Sequence, residues 1–327
     1  GDLLGPEVEI FGAAQRSVAY TRLVSLAKVD ADRVVGASWV AAYLFERGEP
    51  FSDDSAHRIE APLPTRGLNL SAVAVDPVRP GARRRAVFSA QRSGVIESGA
   101  LFEIDLEPGG FGMVRTATVT EFDLQDVLIT GEGLVVAVGT GGVVTATASG
   151  GQYRLFEVEG TAELRGIRET GDPGAPFIVS TDQGGVFVGE IGFSGIDLRP
   201  EAVIQGPATD TKVGALTVEN PGPGFEAWIG TRLGRIFHRS GSGVWQELSY
   251  ELTVGAEACG QPGDCGRVLG GRLIKDLAVL SDPSGRRTLF HVINECSGFG
   301  AIRLDDGCPS LLLAEGTAAE SDERVFM

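Results

Sequence analysis

Five charged residues stand at or beside the starts of short apolar segments: Asp126, Arg165, Lys212, Lys275 and Asp276. Carboxylates at such positions could hold a cation or remove a proton. Opposed charges gathered at one opening could bind a polar ligand or a partner's side chain. The lysines follow the same pattern: the chain has three against 25 arginines, and Lys28, Lys212 and Lys275 all fall on or beside these segments. General-base chemistry has no marker here. His238 and His291 alternate with apolar residues and His57 opens another segment, so each reads as structural. Acidic doublets at Asp53-Asp54 and Asp305-Asp306 admit calcium, which takes clustered oxygen ligands, but neither has EF-hand spacing and loop solvation explains both. No cofactor is expected, and calcium is the one ion the doublets leave open.

The elements that must position these residues repeat. Phe225 to Trp245 reads as strand, tight turn, strand, glycine turn and a third strand, with Val213 to Val218 supplying a fourth. Six such units align. Their first strands open at Ser25, Ser71, Asp126, Gly166, Gly214 and Asp276, always on a small or acidic residue followed by an aliphatic or alanine. The spacings of 46, 55, 40, 48 and 62 residues bracket the ~40–50 residue period of propeller blades once loop insertions are allowed. Second strands share an apolar–small–small pattern, as in Val138-Gly139-Thr140 and Ile229-Gly230-Thr231, and fourth strands open at His57, Val114, Tyr153, Glu201, Trp245 and Ser310. One four-stranded blade cannot bury both faces, so neighbours must stack. The expected fold is all-β: a single six-bladed β-propeller of four-stranded antiparallel blades over residues 21–316. An N-terminal segment, 1–20, would close the ring through a strand at Glu7 to Phe11, and 317–327 would form a tail.

GTRLGRIF (Gly230 to Phe237), echoed in STDQGGVF (Ser180 to Phe187) and GTGGVV (Gly139 to Val144), resembles the strand–turn–strand core of bacterial propellers with quinoprotein-like, YVTN-like or sensor-type repeats. That resemblance implies a fold and not a function, because propellers host enzymes, sensors and docking platforms alike. Six-bladed lactonases and sugar dehydrogenases place acids, Asn or His on inner strands. The resemblance therefore implies, as an alternative, a hydrolase, lactonase or cofactor-dependent dehydrogenase around Asp126 and Asp276. STDQGGVF is also similar to a sialidase Asp-box, with Ser180, Asp182, Gly184 and Phe187 in place. A single copy in a second-to-third turn argues for a chance match, with Asp182 bonding amides of its own turn.

In a propeller the fourth-to-first and second-to-third loops share one face, and both long insertions, Arg92 to Gly99 and Val254 to Arg272, fall there. Candidate contacts on it are Trp39, Arg92, Arg232, Asp264 and Arg267. Arg83-Arg84-Arg85 reads as a solvated turn on the other face. Cys259, Cys265, Cys296 and Cys308 suit disulfides and an oxidising compartment better than zinc, since no CxxC pair exists. Proximity favours Cys259–Cys265 and Cys296–Cys308, with Cys296 bonded into the earlier loop as the alternative.

A net charge of −16 argues against nucleic acid and anionic membrane and suits a basic partner, and no apolar run reaches the ~20 residues of a membrane span. With Gly1 in place of an initiating Met, removal of an upstream segment is expected. The expectation is a non-enzymatic, extracytoplasmic module that docks a protein through these loops, alone or as one subunit of a larger envelope assembly.

Overall fold

The computed structural model of the chain describes residues 23–30, 33–38, 41–46, 57–60, 68–77, 84–92, 98–107, 110–147, 153–158, 163–192, 194–204, 212–248, 274–281, 284–293 and 298–304. The strand predicted at Glu7 to Phe11, the fourth strand from Ser310, the tail 317–327, Trp39, Asp264, Arg267, both acidic doublets and all four cysteines lie outside them.

The first sheet holds β1 (Leu23–Lys28), β2 (Arg33–Ser38), β3 (Ala41–Glu46) and β4 (His57–Glu60), and the second β5 (Leu68–Val75), β6 (Arg84–Arg92), β7 (Gly99–Glu107) and β8 (Gly110–Thr120). The third holds β9 (Leu124–Ile129), β10 (Leu134–Gly139), β11 (Gly142–Thr147) and β12 (Arg154–Glu157), and the fourth β13 (Leu164–Glu169), β14 (Phe177–Thr181), β15 (Gly185–Ile191) and β16 (Ile196–Val203). The fifth holds β17 (Val213–Glu219), β18 (Glu226–Thr231), β19 (Ile236–Arg239) and β20 (Trp245–Leu248). A last sheet has three strands, β21 (Ile274–Ser281), β22 (Arg287–Ile293) and β23 (Gly298–Arg303). Strands are ordered as in the sequence, the signature of antiparallel blades joined by short turns. Five four-stranded blades are described rather than the six expected, because the last sheet carries three strands among the described residues.

Local chemistry explains the turns. A hydroxyl at one position accepts the N–H four residues on, while a glycine at the third following position takes positive φ. Thr130, Thr181 and Thr231 accept from Leu134, Gly185 and Arg235 at 3.0, 2.9 and 3.1 Å. Gly133, Gly184 and Gly234 sit at φ 83°, 81° and 84°, a region open to glycine at no steric cost. Asp182 was expected to cap the second of these turns, but Thr181 does so, and Asp182 Oδ1 has no partner among the described residues.

The described residues form two compact units, the first holding those between 23 and 167 with those of 190–197, the second those of 168–189 with those between 198 and 304. In the first unit, Leu44, Leu70, Phe88, Phe102 and Ile104 form one apolar core, and Val87, Leu101, Leu124, Val127 and Val135 form another. In the second, Ile178, Leu216, Phe225 and Ile229 form one core, and Trp228, Ile236, Ile274, Leu277 and Leu289 another. Each fully buried Phe or Leu contributes roughly 1.5–3 kcal/mol by leaving water.

Candidate site at the inner strands and loop edge

Five first strands, β1, β5, β9, β17 and β21, depart from regular pairing near their starts. Val24, Ser71, Gln125, Gly214 and Lys275 are each the extra residue of a β-bulge against the second strand. Bulges re-aim side chains and often sit beside functional sites. Here they turn the opening small or acidic residues toward the neighbouring first strand. Ser25 Oγ accepts the Val73 N–H at 3.2 Å, and the Ser71 hydroxyl donates to the Leu124 carbonyl at 2.6 Å. Asp126 joins β9 to β13: one oxygen accepts the N–H of Val127 at 2.9 Å and the other that of Ile167 at 3.0 Å. Asp276 accepts its own Leu277 N–H at 2.9 Å in the same way. Main-chain amides thus occupy both Asp126 oxygens, which favours a structural clamp over a proton acceptor. Asp126→Ala orphans these amides and is expected to lower the unfolding free energy by about 2 kcal/mol, read from urea midpoints; Asp126→Asn, which keeps one acceptor oxygen, should lose less.

Fourth-to-first and second-to-third turns meet at one edge within each unit. In the first unit the Asp123 carboxylate, just before β9, accepts the N–H of Arg92 at 3.1 Å and of Ser98 at 3.2 Å, pinning both ends of the β6–β7 loop. The Asp123 N–H donates to Thr140 Oγ1 at 3.1 Å, and the Thr140 N–H returns to the Asp123 carbonyl at 3.0 Å. In the second unit the Arg232 N–H donates to the Lys212 carbonyl at 2.7 Å. Arg92 and Arg232 are exposed, and neither side chain makes an ion pair among the described residues. Lys212 is half-buried, whereas Lys275 and Asp276 are exposed at the start of β21.

Arg165 lies not with Asp126 but with two glutamines that the search for charges passed over. Its Nη1 donates to Gln125 Oε1 at 3.0 Å, and Gln125 Nε2 donates to Gln91 Oε1 at 2.8 Å. Glu163 balances the guanidinium at 2.9 Å. All four side chains are half-buried. The missed signal was the Gln125 bulge position itself, which corresponds to Lys275 in the last sheet.

The remaining polar clusters are structural. Arg84 and Arg85 belong to β6 and not to a solvated turn; Arg85 is 6% exposed and pairs with Asp76 and Glu103 at 3.1 and 2.8 Å. Tyr153 donates to the same Glu103 oxygen, and burial beside that carboxylate pushes its hydroxyl well above the ordinary range, so it stays protonated. Glu226 takes hydrogen bonds from His238 and Arg287, each at 3.0 Å. Burial alone would raise its pKa, but these two partners outweigh it and hold it below the usual carboxylate value. His238 stacks on Trp228 with centroids 4.0 Å apart.

His291, on β22, is 1% exposed, and neither ring nitrogen has a hydrogen-bond partner among the described residues. Burial lowers its pKa to about 4. A depressed histidine is neutral in the fold while the unfolded chain takes up the proton, so stability is complete above pH 6.5 and falls as pH drops toward 4. Between pH 7.5 and 5 the expected loss is about 2 kcal/mol. His291→Leu should flatten that part of the urea-midpoint profile.

Among the described residues no group of three or more His, Cys, Asp or Glu is placed to hold a metal ion, and no helix is long and apolar enough to cross a membrane.

These blades define a β-propeller, and known structures agree. The β-propeller domain of Cps50 (Swd1) from Myceliophteria thermophila matches 89% of this chain and 82% of its own, with a TM-score of 0.52 and 11% identity. A chain of the nidogen/laminin complex matches 85% of this chain and 92% of its own, with a TM-score of 0.54 and 13% identity. PorZ, a surface component of the type-IX secretion system of Porphyromonas gingivalis, matches 89% of this chain at TM-score 0.56 and 13% identity, the chain spanning 41% of that protein. No family model matches the chain, and no curated protein does. At these identities the likeness shows the fold, an all-β propeller with four-stranded antiparallel blades, and assigns no functional family.

Proposed function

We propose that this chain is a non-enzymatic docking module, acting outside the cytoplasm, that binds a protein partner through the edge carrying the second-to-third and fourth-to-first turns. One observation carries the reading: the β6–β7 loop is held at both ends by Asp123 and presents Arg92 to solvent without an ion-pair partner among the described residues. Arg232, fixed through Lys212, repeats the arrangement in the second unit. Main chain anchored in advance at Arg92 loses less entropy on binding, and arginine is a frequent interface anchor. Arginine can only donate hydrogen bonds, so the contact surface it requires is rich in carboxylate and carbonyl oxygens, whatever the partner's net charge. Propellers of similar fold work in such settings: one belongs to the nidogen/laminin complex, and PorZ is a surface component of a secretion system.

The test is co-purification of tagged chain from its native envelope fraction, with Arg92→Glu and Arg232→Glu run alongside. A stoichiometric partner should be captured by the unaltered chain and reduced about tenfold or more by the charge reversals. A partner retained in full by both variants would place docking elsewhere on the molecule.

A further inference from the structure

The ladder of Glu163, Arg165, Gln125 and Gln91 has a direction, and the direction says what it binds. The two oxygens of Gln91 and Gln125 and their nitrogens are chemically similar in size, but arginine carries no acceptor. Arg165 Nη1 therefore fixes the Gln125 carbonyl toward itself at 3.0 Å. That turns the Gln125 amide nitrogen toward Gln91, whose carbonyl accepts it at 2.8 Å. Gln91 is left with its –NH2 as the end of the chain. Both amide carbonyls point inward along the ladder, and the hydrogens not used by it are donors: two on Gln91, one on Gln125 and the rest of the Arg165 fork. The array is set where a ligand could reach it, since Gln91 lies next to last in the second strand β6, Gln125 is the bulge of β9, and Arg165 enters β13, all half-buried.

Charge narrows the ligand. The Arg165 guanidinium already faces Glu163 at 2.9 Å, so the ladder offers several N–H donors with little net positive charge. A carboxylate would gain hydrogen bonds but meet the Glu163 charge. A neutral carbonyl gains the hydrogen bonds without that repulsion. We propose that this ladder is a binding site for the amide carbonyls of an extended peptide segment, with Gln91 and Gln125 as the donors that touch it and Arg165 as the residue that orients them. The identity of the ligand as peptide rests on the docking reading; the donor polarity of the ladder does not.

The full chain labelled with 15N-glutamine is titrated with the blocked peptide N-acetyl-triglycine amide, following side-chain amide signals assigned through Gln91→Glu and Gln125→Glu. The Gln91 –NH2 signals are expected to shift saturably, while sodium acetate at equal concentration shifts them far less. Gln91→Glu replaces the terminal donor by an acceptor of nearly the same shape and should weaken peptide binding about tenfold, the loss of one to two hydrogen bonds. Glu163→Gln, which uncovers the Arg165 charge, should reverse the preference in favour of acetate. Three results would overturn the proposal: Gln91 signals that do not respond to the peptide, an equal or larger response to acetate in the unaltered chain, or a response to N-acetylglucosamine in place of the peptide. Titration succeeding where envelope co-purification yields no partner would sink the docking reading alone. The converse would sink the ladder alone.

Discussion

Replacing Glu103 by leucine is expected to lower the unfolding free energy by about 3 kcal/mol, the cost of taking from a buried guanidinium the closer of its two carboxylates. Glu103 lies on β7 and Arg85 on the adjacent β6, with side chains 8% exposed in both cases. Water therefore cannot replace what the substitution removes. Arg85 keeps Asp76 at 3.1 Å, but its Nη2 has no partner among the described residues even in the intact protein, so a further loss leaves most of the guanidinium unsatisfied. Tyr153, from the segment entering β12, loses the acceptor for its hydroxyl in the same step. The double variant Arg85→Met with Glu103→Leu removes the buried pair and fills its space with apolar groups, and should recover part of the loss, since Asp76 then lacks the Arg85 guanidinium. Urea midpoints of the two single variants and the double variant decide the matter. A single-variant loss below about 1 kcal/mol would mean that the pair behaves as an exposed one.

Gly139→Val is the second large effect. A Cβ at Gly139 would lie 1.8 Å from the carbonyl oxygen of Asp123, a main-chain atom that cannot swing aside as a flexible side chain would. That carbonyl accepts the Thr140 N–H, and the carboxylate of the same residue holds Arg92 and Ser98. Displacing Asp123 therefore breaks the turn pairing and releases the β6–β7 loop together. The expected cost is about 3 kcal/mol, at the upper end for overpacking. Hydrogen exchange at the Arg92 and Ser98 amides should accelerate well beyond the global change, because the opening is local to that edge. Gly131→Ala is the control: nothing lies within 4 Å of the added carbon, and the change should stay within about 0.5 kcal/mol. If both glycine variants unfold at the same urea concentration, Gly139 does not hold the edge.

The repeat and its strands were legible without coordinates because blade patterns recur. A small or acidic residue in each first strand and the apolar–small–small second strands are local regularities that fall within the observed strands, but the first strands begin one to three residues earlier than expected, on Leu23, Leu68, Leu124, Leu164, Val213 and Ile274. Even the turn rule, a Thr or Ser with glycine three residues on, was present in the letters at Thr130, Thr181, Thr231 and Ser240, although Asp182 drew the eye instead. What the small residues are for was not legible. Gly230 is small because Ile274, from a strand more than forty residues later, would meet any Cβ at 2.5 Å, and Gly139 is small because Asp123 passes over it. Separation in sequence also hid the partners of Arg85, which lie 9 and 18 residues away. A run of three arginines reads as solvated until strands β6 and β7 pair and set Glu103 beside it.

The candidate site divides in the same way. Charged residues at strand starts were found by type, but Asp126 turned out to be occupied by main-chain amides, and Arg165 to be joined to glutamines that carry no charge to advertise them. Residue type and period determine which segments become strands and which turns bend, since those choices rest on neighbours within a few residues. Which side chain meets which across blades depends on bulge position and on contacts between strands tens of residues apart. Those contacts exist only once the sheets have stacked, and so the tertiary structure alone decided them.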